Sequence, residues 1–335
     1  MNTKPKISVA VITYNQEETI RQTLDSILCQ KGDFDLELII GEDCSPDATY
    51  SICQQYAEQY PNAVTLLLNT HNLGIMANFA RVMQACTGDY VGMCAGDDYW
   101  CDEHKLQKQL DYFRAHSDVG VVSTAGYKLL VKSNMLMPNA VAPIHPVEDG
   151  NIKPFYFSPS YKGGVYAMPL SLLIKRDLLQ YIDFDEFVRR GFSVEDYPMQ
   201  AILSQHTRWG HIPELCVVYR VYKESATFIS FEHPKYLQYY RGLADIRRYL
   251  NELFPADACF SEEQIQEQLF YKEFLLYLHQ FDYKNAKQLI AQIPMEICNS
   301  DKVLQAKRFT KTWLHFIAAH VIKEYNYRKD IKLRT

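Results

Sequence analysis

The pair Asp97-Asp98 is where this sequence first offers chemistry. It closes the stretch Cys86–Trp100, CTGDYVGMCAGDDYW, in which a short apolar run, Tyr90–Cys94, stops at Gly96 and leaves two carboxylates side by side. Adjacent Asp side chains at a strand's end can hold a hard divalent cation, which takes oxygen ligands and shares them with a substrate's phosphates. The same residues can also make a plain polar turn, since Gly and Asp are turn formers in their own right. The surrounding chain has to decide between the two.

The elements that would position this pair are legible as periods. Ile7–Thr13, ISVAVIT, is a β-branched run of the kind buried on both faces of a parallel sheet. A helical pattern follows with Ile20, Leu24, Ile27 and Leu28 on one face. Leu36–Gly41 is a second strand ending in Glu42-Asp43, and Ser45-Pro46-Asp47 signals a helix over Ala48–Tyr60. Val64–Leu68 is a third strand; helices are expected over Ile75–Ala85 and Glu103–Ala115. Strands alternating with helices over the first 120 residues predict an α/β fold, a mostly parallel sheet flanked by helices, with ligands at the strands' carboxyl ends.

Composition narrows the class further. The 335 residues, 47% hydrophobic and 22% charged, suit a globular protein with one large domain and an addition. The net charge of −5 gives no overall attraction to nucleic acid. Nine cysteines without paired CxxC spacing predict free thiols in a reducing cytoplasm. No apolar run approaches the ~20 residues that span a bilayer, and no signal peptide is expected. Neither GxGxxG nor GxxxxGK[ST] occurs, so any nucleotide would be held by carboxylates and a metal.

Taken together, ISVAVITYNQEETI, LIIGEDCSPDAT and NTHNLGIMANFARVMQACTGDYVGMCAGDDYW resemble the family-2 glycosyltransferases over about residues 5–225. The resemblance implies a GT-A fold and an inverting transfer from a nucleotide diphosphate sugar, UDP-linked, to the hydroxyl of a glycan or lipid-linked acceptor in bacterial surface-glycan assembly. By position it implies that Thr13, Tyr14, Asn15, Glu17 and Asp43 hold the nucleoside. Asn72, Gly74 and Asn78 would border the donor sugar, and Asp97 with Asp98 would bind Mg²⁺ or Mn²⁺. Phe192–Pro198, FSVEDYP, matches the family's Glu-Asp motif, so Asp196 is expected to be the general base and Glu195 the second choice. Gly163–Leu173 resembles the strand beside the acceptor, leading into a helix over Arg176–Tyr181, and Met137–Tyr161 reads as a covering loop.

Two positions depart from the family's pattern. Ala95 stands where DxD members have an acidic residue, and YRVYKES places Tyr222 where many members have His. Both weaken the expected metal or diphosphate contacts; Arg220 or Lys223 could compensate with positive charge. Hence a second reading, a nucleotide-sugar-binding protein with weakened catalysis. A nucleotidyltransferase would want a glycine-rich basic loop after the first strand, and Tyr14-Asn15-Gln16-Glu17 is not one. Gln205-His206-Thr207-Arg208-Trp209 spells QxxRW, but it lies close to Glu195-Asp196 and lacks flanking membrane helices, so Trp209 is read as packing.

A boundary is expected between a catalytic domain, 1–230, and a helical region, 231–335. The latter's aromatic stripes, Tyr236, Tyr239, Tyr240 and Leu243, then Leu269, Phe270, Phe274 and Leu275, then Phe309, Trp313, Phe316, Ile317 and Val321, read as helix-on-helix core. From Lys302 to Thr335 nine Lys or Arg face only Glu324 and Asp330. A basic amphipathic end with aromatics makes an anionic membrane face a candidate partner, alongside a second copy of the chain.

Overall fold

A computed structural model of the chain describes residues 4–138, 150–157, 166–222, 235–258, 260–312 and 315–323. It divides into two compact units, Met1–Val221 and Tyr222–Thr335.

The first unit opens with β1 (Lys6–Thr13), α1 (Ile20–Leu28), β2 (Asp35–Glu42), α2 (Thr49–Gln59), β3 (Val64–Leu68), α3 (Ile75–Ala85) and β4 (Tyr90–Ala95). Next come β5 (Tyr99–Trp100), α4 (Lys105–Ala115), β6 (Val119–Leu130), β7 (Met135–Pro138) and α5 (Lys153–Tyr156). It closes with β8 (Leu173–Lys175), α6 (Phe184–Arg190), α7 (Asp196–His206) and β9 (Arg208–Val221). All nine strands share one sheet in the order β3-β2-β1-β4-β8-β6-β9-β5, with β7 on β6. The first four strands in sequence pair in parallel, as the alternating pattern predicts. Beyond β4 the sheet is mixed: β8 runs antiparallel to both neighbours, β6 and β9 are parallel, and β5 is antiparallel to β9.

Register decides where the chemistry sits. Thr13 lies opposite Glu42 and Ile12 opposite Ala95, so β1, β2 and β4 end together at one edge of the sheet. The core beneath is the β-branched set Ile7, Val9, Val11, Leu38 and Ile40 packed on Ile20, Leu24 and Ile27 of α1. The period-3.6 face read from the sequence is thus the buried one.

Three expectations need correction. The strand read over Val119–Thr124 runs on to Leu130, because β9 pairs with it along its whole length. No strand spans the described part of Gly163–Leu173; Pro169–Ser171 is a 3₁₀ turn and β8 starts only at Leu173. There the main-chain groups are taken by side chains instead of a neighbouring strand, as described below. Arg176–Tyr181 is a 3₁₀ helix. Of the expected covering loop, β7 and α5 supply the described ends, and residues 139–149 and 158–161 lie outside the described residues.

The second unit is helical: α8 (Tyr236–Leu253), α9 (Glu262–His279), α10 (Tyr283–Ala291), α11 (Asp301–Phe309) and a further helix over 315–323. Starts are capped by the rules of short polar side chains. Ser261 and Gln264 form a capping box on α9, and Asp282 accepts from Asn285 N on α10. Phe270, Phe274, Leu278, Val303 and Phe316 form its core. Trp313 lies outside the described residues, and Val321, expected in the core stripe, is 59% exposed beside Ile322 at 60%. No described helix is long and apolar enough to cross a membrane.

Candidate active site

At the carboxyl edge, the turns after β1 and β2 are locked to each other. Asn15 (φ 56°) and Cys44 (φ 60°) both take the left-handed conformation that non-glycine residues seldom adopt, one after each strand. The turns are held by Asn15 N donating to Ser45 Oγ (2.9 Å), Gln16 N to Thr49 Oγ1 (2.8 Å) and Glu17 N to Asp47 Oδ2 (3.1 Å). Glu17 in turn accepts from Ala48 N at 2.8 Å, so its exposed carboxylate stands over the start of α2. Buried Glu42 accepts from Cys44 N (3.2 Å) and Ser45 N (2.8 Å) and fixes the second turn. Tyr14 is left 47% exposed at the rim.

Asp43 is buried, and its carboxylate accepts from Asn69 Nδ2 (2.8 Å), Leu73 N (2.8 Å) and Gly74 N (2.9 Å). One side chain therefore pins the whole loop before α3. Asn72 Oδ1 also accepts from Gly74 N (3.1 Å), and Asn78 braces the loop from behind through Gly41 O (2.8 Å) and Asn69 (3.2 Å).

Asp97 and Asp98 follow β4 directly. Gly96 is required there because a Cβ would come within 2.6 Å of Thr13 Oγ1 and 2.4 Å of Gln16 Oε1. Asp98 is buried; its Oδ1 accepts from Arg220 N at 2.7 Å, and burial together with the Asp97 charge pushes its carboxyl well above the usual range. Burial likewise raises Asp97, against a main-chain N–H of its own residue and the pull of the Arg220 charge. Arg220, buried on β9, donates through its guanidinium to Asp97 O and Gln22 Oε1 and stacks over Tyr99 with its carbon 4.8 Å from the ring centroid. Two carboxylates raised by burial, Asp98 also by the Asp97 charge, favour a cation between them and an incoming ligand. Among the described residues no group of three His, Cys, Asp or Glu side chains comes together as a metal site. A pair of carboxylates can still share a cation that completes its shell with phosphate oxygens and water.

Glu195 and Asp196 begin α7. Burial and the neighbouring Asp196 charge push Glu195 up to about 8, and burial raises Asp196 to about 6 against a bond from Tyr197 N to its Oδ1 (2.7 Å). One turn on, the buried Gln200 carries the helix's main anchor. Its Oε1 accepts from Tyr156 Oη (2.8 Å) and Ala167 N (3.2 Å), and its Nε2 donates to Ala167 O (2.9 Å).

The fold thus gathers Thr13, Asn15, Asp43, Gly74, Asp97, Asp98 and Arg220 at one edge through direct bonds or register. Glu195 and Asp196 belong to the same unit on a different element. Lys223 lies outside the described residues. Trp209 is buried edge-on to Tyr166, with centroids 5.9 Å apart. Reading the sequence missed Glu42, Gln22, Asn69 and Gln200, side chains that hold the site in shape. Glu42 carried a signal, being a second acidic residue at the end of an otherwise apolar strand; a lone Gln on a helix carries none.

Residues 8–162 match the model of glycosyl transferase family 2. They belong to that family. Curated relatives at 32–44% identity align over 30–39% of this chain and only 33–50% of their own length. The Minor teichoic acid biosynthesis protein GgaB of Bacillus subtilis is 23% identical over 94% of this chain and 34% of its own. Among solved structures, S. aureus TarS 1–349 in complex with UDP-GlcNAc superposes with a TM-score of 0.55 at 17% identity, covering 97% of this chain and 92% of that one. The mannosyltransferase PcManGT from Pyrobaculum calidifontis, in complex with GDP-Man and Mn²⁺, gives 0.54 at 17% identity, covering 97% and 88%. At such identities the superpositions establish the fold, a GT-A-type sheet followed by a helical region.

Proposed function

We propose that this family-2 chain transfers a sugar from a UDP-linked donor to a glycan or lipid-linked hydroxyl, with inversion at the anomeric carbon. The observation that carries the reading is the raised Asp97-Asp98 pair standing at the shared edge of β1, β2 and β4, beside the turns of Thr13 and Asp43. Solved relatives of this fold bind UDP-GlcNAc, and GDP-Man with Mn²⁺. Asp97 and Asp98 would hold Mg²⁺ or Mn²⁺, which when bound neutralises charge on the leaving diphosphate. Thr13, Tyr14, Asn15, Glu17 and the Asp43-pinned loop line the nucleoside side; Asn72, Gly74 and Asn78 shape the wall beside the sugar. Arg220 adds a fixed positive charge next to Asp97. Asp196 takes the proton of the incoming hydroxyl, and its carboxyl, raised to about 6, is a stronger base than an ordinary Asp yet ionised at neutral pH. Glu195, raised by burial and by the Asp196 charge, is the second choice for that base.

The second unit would serve a peripheral, cytoplasmic contact with an anionic membrane carrying the acceptor. Exposed Val321 and Ile322 on a stretch rich in Lys and Arg support that role; failure to sediment with anionic liposomes at physiological salt would rule it out.

Ala95 favours a second reading, a binder with weakened catalysis. A panel of nucleotide sugars, with and without Mn²⁺, on the wild type and Asp97→Asn separates the two. Ligand that binds only the native state raises its melting temperature. A metal-dependent shift with one UDP-sugar plus UDP release supports the transferase; a shift without any release supports the binder; no shift at all sinks both.

A further inference from the structure

The two acidic pairs stand on different elements, and one short segment touches the supports of both. Tyr166–Ser171 lies between β6, where a Cβ on Gly126 would meet Met168 Cε at 2.5 Å, and the start of β8. Its main chain is held from the donor side by Trp100, two residues past Asp98, whose Nε1 donates to Leu170 O (3.0 Å). On the same side Gln109 of α4 donates through Nε2 to Ser171 O (2.9 Å) and Val122 O (2.7 Å). The orientation of that amide is fixed by Lys105, a fully buried lysine that donates to Gln109 Oε1 at 2.9 Å and lies 4.1 Å from the Trp100 ring centroid. From the acceptor side Gln200 grips Ala167 at both N and O, and Tyr156 Oη accepts from Tyr166 N (2.8 Å). Gln109 and Gln200 are both fully buried.

This arrangement is more than ordinary loop anchoring. Side chains from α4 and α7 take Ser171 O, Ala167 N and Ala167 O, main-chain groups that would otherwise be buried without these partners. Trp100, two residues past Asp98, and Gln200, one turn past Asp196, both hold the segment, and Gln109 backs the Trp100 end through Lys105, so a shift of the segment is passed toward both pairs. Since a misplacement of about 1 Å between reacting groups can cost on the order of a hundred-fold in rate, such a link has kinetic weight.

We propose that Tyr166–Ser171 is a positioning strut that sets the separation of Glu195-Asp196 from Asp97-Asp98, with Gln109 and Gln200 as its two clamps. Its kinetic part rests on the transferase reading above; its mechanical part does not.

Amide hydrogen exchange on the full chain, wild type against Gln109→Leu and Gln200→Leu, tests the mechanical part. Each single substitution speeds exchange along the whole segment by about ten-fold, the size expected for losing one buried hydrogen-bonded clamp. The effect reaches the far pair: Gln109→Leu speeds the Tyr197 N–H bonded to Asp196, and Gln200→Leu speeds the Arg220 N–H bonded to Asp98. Faster exchange confined to the end that lost its clamp, or no change with melting temperature retained, overturns the strut. Kinetically, UDP release from UDP-GlcNAc with Mn²⁺ falls about ten-fold in kcat with KM held, and the double variant is no worse than either single one. Additive losses overturn the coupling. If the wild type releases no UDP from any nucleotide sugar, the transferase reading fails while the exchange result still decides the strut.

Discussion

Two carboxylate sites at opposite ends of the same sheet, Glu37 and the pair Asp97-Asp98, are treated in opposite ways. At the amino edge, Glu37 is partly buried, which alone would raise its pKa. Lys6 Nζ (2.6 Å), Ser8 Oγ, Thr87 N (3.0 Å) and Thr87 Oγ1 (2.9 Å) all donate to it and hold it at about 2. At the carboxyl edge, Asp98 is buried and Asp97 half-buried, yet they receive few donors; burial raises both, and the Asp97 charge raises Asp98 further. Burial is common to the two ends; satisfaction is not. Where a carboxylate is saturated it serves the fold, and where it is left short of partners the fold is under a cost that a ligand can relieve.

Substitution can break that contrast, and the largest effect belongs to the unsatisfied end. Asp97→Asn is expected to cut sugar transfer by about 10³-fold or more, since a metal's charge stabilisation amounts to several kcal/mol; the rate of UDP release measures it. Asp196→Asn should lower the rate by about 10²–10⁴-fold with little change in donor affinity, the range for losing a general base. In the wild type, the base must be ionised, so activity should climb as pH rises through about 6. A rate that is flat from pH 5 to 8 would remove Asp196 from that role.

The satisfied end should respond in stability only. Glu37 is depressed below its usual 4.5, so its contribution is present above that pH and fades as pH falls toward 2. Glu37→Gln is expected to cost about 2 kcal/mol at pH 7, the scale for disturbing a charged hydrogen-bonded group, leaving transfer untouched. Glu195 has the reverse sign. Its folded pKa is raised to about 8 from 4.5, so its contribution is full below pH 4.5 and is lost as pH rises through 8. Glu195→Gln should therefore raise the melting temperature at pH 8.5 and hardly change it at pH 5, as thermal unfolding at the two pH values would measure. A Glu195→Gln protein less stable at pH 8.5 would overturn the assignment of strain to that end.

Much of this contrast was readable in advance at the donor edge, because strand ends in a parallel sheet are announced locally: ISVAVIT, LIIGED and YVGMC each stop at the residue that matters. Helix α3, Ile75–Ala85, has the bounds its pattern predicts. The acceptor side was less legible. Gly163–Leu173 resembles a strand of the family, and in its described part the main chain is taken instead by Gln200, Gln109 and Trp100, which lie 33 to 70 residues away. Nor does periodicity foretell the positions where an anchoring partner lies far along the chain, such as Gln22 against Arg220.

The bond between Asp98 and the main chain of Arg220 spans 122 positions. During synthesis from the amino end, β1 to β4 can assemble as a local βαβ array while β9 is still unmade, because their contacts are short in sequence and low in loop-closure cost. Until β9 arrives, the two aspartates lack both their N–H partner and their guanidinium neighbour. The nascent chain therefore acquires its sheet before the surroundings of Asp97 and Asp98, which are completed only when β9 joins.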